Sequence, residues 1–481
     1  MRRRCAATAV DIGVSSGGNG AVMSVSDIAD RLLRELGPDI VSADADLRRR
    51  SAGDWSGAPK SPPAAVLRPR STDEVSRCLA LCHSLGLPVV PQGGLTGLAG
   101  GANPASGQAA LALDRMSGVE AIDREAATIT VKCGTPLQAA QEAAQAAGLY
   151  LGLDIGARGS CQIGGNLATN AGGNRVIRYG MARALVLGLE VVLADGTVIT
   201  ALDKAMKNNA GYDLKQLFIG SEGTLGIITR AVLRLHPLPR SRTTAFLSTP
   251  DFESALRLLR RLQADLGGVS AFEAMWPDFY DYIVEHPDTG VAPLPKGRPF
   301  YVLAEHEGSD PAGDGGRVEA ALGAALEAGD VTDAVIAKTE TEARDFWTVR
   351  EGLALDRLPN LVNYDVSLAI GRIGEFADRS RASLKRRWPE GVATFFGHIG
   401  DGNLHISASA GATAGNVESD MDDIVYGLVG EFGGSISAEH GIGLLKRPHL
   451  HRSRSAAEIE LMRRIKQAFD PKGILNPGKV I

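Results

Sequence analysis

Cysteine runs out early in this chain. Cys5, Cys78, Cys82, Cys133 and Cys161 are the only five, and none follows position 161. Thiols so few and scattered exclude a disulfide framework, which needs a shorter chain and a denser pattern. They exclude an iron–sulfur cluster, which needs closely spaced thiolates. Cys78 and Cys82, four apart on an apolar helix face, read as core residues. A reducing, cytoplasmic setting fits this usage. Long apolar runs are missing too, and none approaches the ~20 residues of a membrane span. The opening Met1-Arg2-Arg3-Arg4-Cys5 is basic, but no continuous apolar segment follows it, which argues against a secretory leader. Residues 1–23 read as a flexible extension, with Met23 a candidate start. Nor is positive charge in excess: 51 Lys and Arg against 56 Asp and Glu give a net charge of -5. A nucleic-acid binder usually carries a basic stripe.

The remaining composition, 44% hydrophobic and 22% charged, is that of a soluble globular protein. At 481 residues the chain exceeds one ordinary core and implies two or three domains. A short helical pattern at 26–36 precedes a Ser-, Gly- and Pro-rich linker at 51–64. Ser71 and Glu74 make a capping box, and Val75, Cys78, Leu79, Cys82 and Leu85 continue at helical spacing to Gly86. Strands are expected at 88–90, 109–114 and 127–133, with a helix opened by Pro136 and stopped at Gly148. A hairpin over 187–200 turns at Asp195-Gly196, and a strand at 226–235 ends before Pro237 and Pro239. Beyond those prolines come strands at 243–248, 269–275, 300–306, 331–338, 363–370 and 392–409. They alternate with helices at 251–265, 316–328, 340–356, 373–387 and 417–432. The pattern is α+β, antiparallel strands with helices on one face. The expected division is 1–53 as extension and helix, 54–238 and 239–450 as two domains, and 451–481 as a C-terminal segment that packs back on the first domain.

Glycine is abundant, at 58 residues, and it clusters. The first cluster is Pro91-Gln92-Gly93-Gly94-Leu95-Thr96-Gly97-Leu98-Ala99-Gly100-Gly101, directly after a strand. Such a loop frees several backbone N–H groups to converge on phosphate oxygens. It is neither a Walker loop, since no Gly-Lys-Ser/Thr follows, nor the Rossmann fingerprint, whose spacing differs. A second cluster runs from Gly156 through Gly164-Gly165-Asn166 to Asn174. A third is Gly220-Ser221-Glu222-Gly223-Thr224-Leu225-Gly226-Ile227-Ile228. Three such loops suit an extended ligand with a pyrophosphate and a planar ring system.

In their order and spacing these loops resemble the vanillyl-alcohol-oxidase type of FAD-binding domain, shared by D-lactate, glycolate and D-2-hydroxyglutarate dehydrogenases. The resemblance spans about 54 to 481. It implies a two-part FAD-binding domain, an antiparallel-sheet substrate or cap domain, and a C-terminal helix returning to the FAD domain. By that match Pro91, Gly93, Gly94, Thr96 and Gly97 hold the pyrophosphate. Gly156, Ser160, Gly164, Gly165, Asn166 and Thr169 line the flavin. Gly220, Glu222, Gly223, Gly226 and Ile228 complete the adenine and ring contacts, and Asn476 touches the cofactor from the tail. Some relatives attach FAD through a histidine in the first loop; that loop has none here, so non-covalent FAD is expected.

The second half contains Gly397-His398-Ile399-Gly400-Asp401-Gly402-Asn403-Leu404-His405 and, later, Ser437-Ala438-Glu439-His440-Gly441. A strand–turn–strand brings His398 and His405 to one point. Two imidazoles and the Glu439 carboxylate form a three-ligand divalent site with open positions, leaving His440 beside it as a base. Asp401 reads as a turn former, and Asn403 is open to either role. His83, His236, His286, His306, His449 and His451 read as structural or surface residues.

The same stretch resembles the metal site of D-2-hydroxy acid dehydrogenases. The match implies Zn²⁺ or another divalent ion on His398, His405 and Glu439, His440 as general base, and Asn403 facing substrate. Phe346-Trp347-Thr348-Val349-Arg350-Glu351 matches the family's Trp-x-x-Arg-Glu, which makes Arg350 the anchor of the substrate carboxylate. Similarity is greatest to the D-2-hydroxyglutarate dehydrogenases, with two departures. Ala354 stands for a threonine, and Asn363 for a lysine before Tyr364-Asp365. Both positions bind substrate in that group, so Asn363 is a candidate contact, with Arg372 a candidate replacement cation. The implied reaction is oxidation of a small D-2-hydroxy acid, D-2-hydroxyglutarate first, with electrons leaving to a soluble acceptor such as electron-transfer flavoprotein. A D-lactate or glycolate dehydrogenase, an oxidase and a non-catalytic flavin-binding subunit are the alternatives, and a homodimer is an allowed assembly.

Overall fold

The computed structural model describes residues 24–286, 292–412 and 417–481. The extension at 1–23 lies outside them. In the first half, β1 (Val41–Ser42), β2 (Ala65–Leu67), β3 (Val89–Gln92) and β4 (Ala109–Ala112) form a sheet in the order β1-β2-β4-β3. Its β2, β4 and β3 are parallel, and β1 is antiparallel to β2. The amphipathic helices Val25–Leu36 and Thr72–Leu85 share its core through Ile28, Leu32, Val75, Cys78, Leu79 and Cys82. Only half of the expected capping box forms. Ser71 Oγ accepts the Glu74 N–H, but the Glu74 carboxylate accepts from Arg70, one residue before the cap.

Next along the chain are β5 (Val119–Asp123), β6 (Thr128–Lys132), the short β7 (Leu149–Tyr150), β8 (Val186–Val192), β9 (Val198–Ala201), β10 (Ile227–Arg234) and the short β11 (His236–Pro237). Five of them make an antiparallel sheet, β5-β6-β10-β8-β9, while β7 pairs with β11. β5 escapes the apolar pattern because it is half-exposed and polar. The stretch 51–64 is no free linker. Asp54 and Ser56 are buried, and the Asp54 N–H donates to Asn103 Oδ1 at 2.7 Å. Its short polar side chains satisfy backbone that a linker would leave to water.

The second half is one seven-stranded antiparallel sheet made of β12 (Ser241–Thr249), β13 (Val269–Met275), β14 (Phe300–Gly308), β15 (Asp333–Ile336), β16 (Leu361–Ser367), β17 (Val392–His398) and β18 (Asn403–Ser409). The order is β15-β12-β14-β13-β17-β18-β16. Strand alternation splits its residues between two faces. One face, with Leu247, Phe272, Val302, Phe395, Ile406 and Val366, is covered by helices Phe252–Leu266, Asp314–Glu327, Ile373–Arg387 and Val417–Glu431. The other is not left bare, contrary to the one-faced expectation. Phe246, Met275, Tyr301, Leu303 and Phe396 form an apolar end there, which helices Pro277–Val284 and Glu340–Glu351 cover. The latter stops at Gly352, in the left-handed conformation at φ 67, short of the expected residue 356.

The rest of this face is polar. It carries Glu305 on β14, Glu273 on β13, His398 on β17, His405 on β18 and Asp365 on β16. Register sets Glu273 directly opposite His398 and Asp365 opposite His405. The chain then returns through helix Ala456–Phe469 to the first sheet, where Val89 N–H donates to the Ile474 carbonyl and Asn476 N–H to the Val89 carbonyl.

Candidate active site

A cavity of about 480 Å³ runs along all three glycine-rich loops. Most of the sequence-derived cofactor residues line it: Pro91, Gly93, Gly94, Thr96, Gly97, Gly156, Gly164, Gly165, Asn166, Thr169, Glu222, Gly223, Gly226 and Ile228. Ser160, Gly220 and Asn476 are not among its lining residues. The glycines do two jobs. At Gly156 and Gly165, both of which line the cavity, a Cβ would meet nothing within 4 Å. At Gly94 it would lie 1.9 Å from the Ser160 carbonyl, and at Gly223 2.4 Å from Pro91 Cγ. Those glycines let the loops pack on one another. Asn476 Nδ2 donates to the Gly101 and Glu222 carbonyls, tying the tail to the first and third loops.

No lysine or arginine is among the lining residues. A phosphate bound here would therefore depend on backbone N–H groups and hydroxyls such as that of Thr96, as in an anion nest. Gln162 Oε1 is buried on the wall with no hydrogen-bond partner among the described residues. Asp54, Trp55 and Gln162 line the cavity without having stood out in the sequence. The first two lie in the stretch read as linker, where a tryptophan among Ser, Gly and Pro was the available signal.

Glu439 and His440 also line this cavity. There His398, His405 and Glu439 come together, with one N or O atom of each lying within 4.8 Å of the others, a group that could hold a metal ion. Three elements deliver them. β17 and β18 bring the histidines across the turn Ile399–Asp401, whose Asp401 Oδ1 accepts the Asn403 N–H and shapes the turn. Glu439 arrives on the loop after the last cap-sheet helix. Its Oε1 accepts the Gly173 N–H from the second glycine loop. The donor set of two imidazoles and one carboxylate suits a divalent ion.

Two buried carboxylates brace this cluster, and both were missed. Glu273 Oε1 accepts from His398 Nδ1 at 2.7 Å, and its Oε2 accepts from Arg350 Nε at 2.6 Å. Asp365 Oδ2 accepts the N–H groups of Glu439 and His440, each at 2.9 Å, and lies 3.7 Å from His440 Nδ1. Lys446 Nζ is 3.6 Å from the same oxygen.

Burial raises the Glu273 carboxyl, but His398 and Arg350 bring it down to about 2. Burial likewise raises Asp365, yet His440, Lys446 and His405 hold it well below the carboxylate range. His405 is pushed well down by burial, Arg350 and His398. Burial would lower His398 too, but the Glu273 charge reverses the direction. Asp401 is pushed up to about 7 by burial.

Arg350 is buried at this cluster, with Nη2 3.1 Å from His398 Nε2. Asn403 is buried with both amide atoms unpartnered. Asn363 lies exposed on β16, where its Oδ1 accepts from Ser407 Oγ. Arg372 does not reach this face. It pairs with Glu375 and stacks over Phe432 among the helices, because its turn leads directly into helix Ile373–Arg387.

Residues 238–480 match the model of the FAD linked oxidases, C-terminal domain, and residues 63–202 match the FAD binding domain. The chain belongs to the FAD-linked oxidase family. It is 39% identical to the mitochondrial D-2-hydroxyglutarate dehydrogenase of Bos taurus, over 96% of this chain and 84% of the relative. It is 40% identical to the D-2-hydroxyglutarate dehydrogenase of Xanthomonas citri pv. viticola, over 89% and 91%. This member of the family is an FAD-dependent hydroxy acid dehydrogenase. Its fold is that of the vanillyl-alcohol-oxidase type. It matches p-cresol methylhydroxylase with a TM-score of 0.71 at 16% identity, over 94% of this chain and 96% of that one. It matches alkyldihydroxyacetonephosphate synthase at 0.73 and 20%, over 94% and 86%.

Proposed function

We propose that the protein oxidises a D-2-hydroxy acid, D-2-hydroxyglutarate to 2-oxoglutarate in the first instance. The observation that carries the reading is that Glu439 and His440 line the same cavity as the glycine loops. FAD in that cavity supplies the acceptor for the substrate's C2 hydride, and a divalent ion on His398, His405 and Glu439, Zn²⁺ in our reading, supplies Lewis acidity that loosens the hydroxyl proton.

The chain's own residues do the rest. His440 Nε2 takes the hydroxyl proton as general base, while Asp365 holds its backbone and stands beside Nδ1. Arg350 gives the substrate's C1 carboxylate a bidentate partner. Asn403, with its unpartnered amide, donates to the bound acid. Asn363 faces the far end of the substrate. Pro91, Gly93, Gly94, Thr96 and Gly97 hold the pyrophosphate, and the second and third loops flank the ring system. Electrons leave to a soluble carrier such as electron-transfer flavoprotein. Four of the cysteines are buried free thiols, which agrees with a reducing cytoplasmic setting. Among the described residues no helix is long and apolar enough to cross a membrane.

Asn363 supports a second reading. Without a cation there, a monocarboxylic acid such as D-lactate or glycolate loses nothing at the far end. Anaerobic bleaching of the flavin by D- and L-2-hydroxyglutarate, lactate, malate and glycolate, with and without chelator, separates the two. Fast bleaching by D-2-hydroxyglutarate that chelator suppresses is the expected result. Bleaching only by short monocarboxylates favours the second reading, and bleaching indifferent to chelator removes the metal.

A further inference from the structure

Glu273, on the polar face of the seven-stranded sheet, is a carboxylate that the reaction outlined above does not use. Glu273 sits on a central strand between Phe272 and Ala274, both in the helix-covered core, and is itself almost wholly buried. A lone carboxylate at such a position is costly unless each oxygen is answered by hydrogen bonds or opposite charge. Here the two oxygens go to two different functional groups. Oε1 takes the N–H of His398 Nδ1, and Oε2 takes the N–H of Arg350 Nε. The pairing has a backbone cause, because Glu273 and His398 are direct cross-strand partners on β13 and β17. Arg350 arrives from a third element, the helix Glu340–Glu351.

We propose that Glu273 is the positioning residue that sets both the ligating nitrogen of His398 and the orientation of Arg350. This rests on the metal reading given above. With Nδ1–H committed to Glu273, Nε2 is the nitrogen an ion would take, in place of the Arg350 Nη2 that lies 3.1 Å from it. A histidine ligand held by a carboxylate on its far nitrogen is fixed in tautomer and made more basic. The same carboxylate fixes the guanidinium through Nε, which leaves Nη1, and Nη2 once an ion takes His398 Nε2, for a substrate carboxylate. One side chain therefore keeps the ion site and the carboxylate anchor at a constant separation, a requirement for any substrate that bridges them.

The test is a Zn²⁺ titration of FAD-loaded protein against a chromophoric chelator, wild type beside Glu273→Gln, with KM and kcat measured alongside. Glu273→Gln is expected to keep its flavin spectrum, lose about 10- to 100-fold in Zn²⁺ affinity, and show a raised KM for the hydroxy acid even at saturating Zn²⁺. Equal Zn²⁺ affinity in the two proteins overturns the inference. Failure of the wild type itself to bind Zn²⁺ overturns the metal reading beneath it. Should the variant not fold, a crystal structure of the Zn²⁺-loaded wild type decides. Coordination through His398 Nε2 with Nδ1 on Glu273 upholds the inference. Coordination through Nδ1, or Glu273 itself on the ion, overturns it.

Discussion

The Gly173 N–H donates to Glu439 Oε1, joining the second glycine loop to the His398, His405 and Glu439 cluster. The neighbouring Gly172 is packed so close that a Cβ there would lie 2.3 Å from the same oxygen. Gly172→Ala is therefore expected to displace Glu439 while FAD still binds. Zn²⁺ affinity should fall by roughly tenfold or more, the scale on which outer partners of ligands act. A chelator-competition titration beside a flavin spectrum checks it, and unchanged affinity would show that Glu439 is free of this loop.

Asp365 braces the other side. Its carboxyl lies well below its unfolded value, so ionised Asp365 stabilises the fold at pH above the ordinary carboxylate range, and that contribution is lost as pH falls through and below it. Asp365→Asn is expected to cost about 3 kcal/mol at neutral pH, since it leaves Lys446 buried without its partner. The difference from wild type should shrink as pH drops from roughly 5 to 3. Thermal midpoints across that range give the answer; a constant difference would mean that the charge is not what matters.

In the proposed reaction Asn363 stands at the far end of the substrate. Asn363→Lys would present a cation on the exposed rim of β16, and a charge-assisted bond is worth about tenfold in affinity. KM for D-2-hydroxyglutarate should fall by that order, with D-lactate unaffected. Equal changes for both acids would place Asn363 away from the second carboxylate.

The first loop carries no histidine, so FAD is expected to leave the chain on denaturation. Acid precipitation followed by filtration should return all of the yellow chromophore to the filtrate; colour retained on the pellet would indicate a covalent bond elsewhere.

What was readable along the chain was what lies close along the chain. The three glycine loops and the His398–His405 pair are local patterns, and each folds where its own residues dictate. Glu273 and Asp365 are not local. Each is an isolated acid in an apolar strand, and only the register of β13 with β17, and of β16 with β18, reveals that they face His398 and His405. The same holds for Arg372, which matched a need for charge but was carried by its helix to the other side of the sheet. Asp54 was hidden differently. Its Ser- and Gly-rich surroundings look like a linker until Asn103, far along the chain, supplies the acceptor that fixes it.

The base assignment is the centre of the account, and single-turnover reduction tests it most directly. Wild type and His440→Ala, both loaded with FAD and Zn²⁺, are mixed anaerobically with D-2-hydroxyglutarate and followed at the flavin absorbance. A normal flavin spectrum in the variant, with bleaching slowed by about 10²- to 10⁴-fold, is the predicted result. Bleaching at the wild-type rate would contradict it and remove His440 from the chemistry.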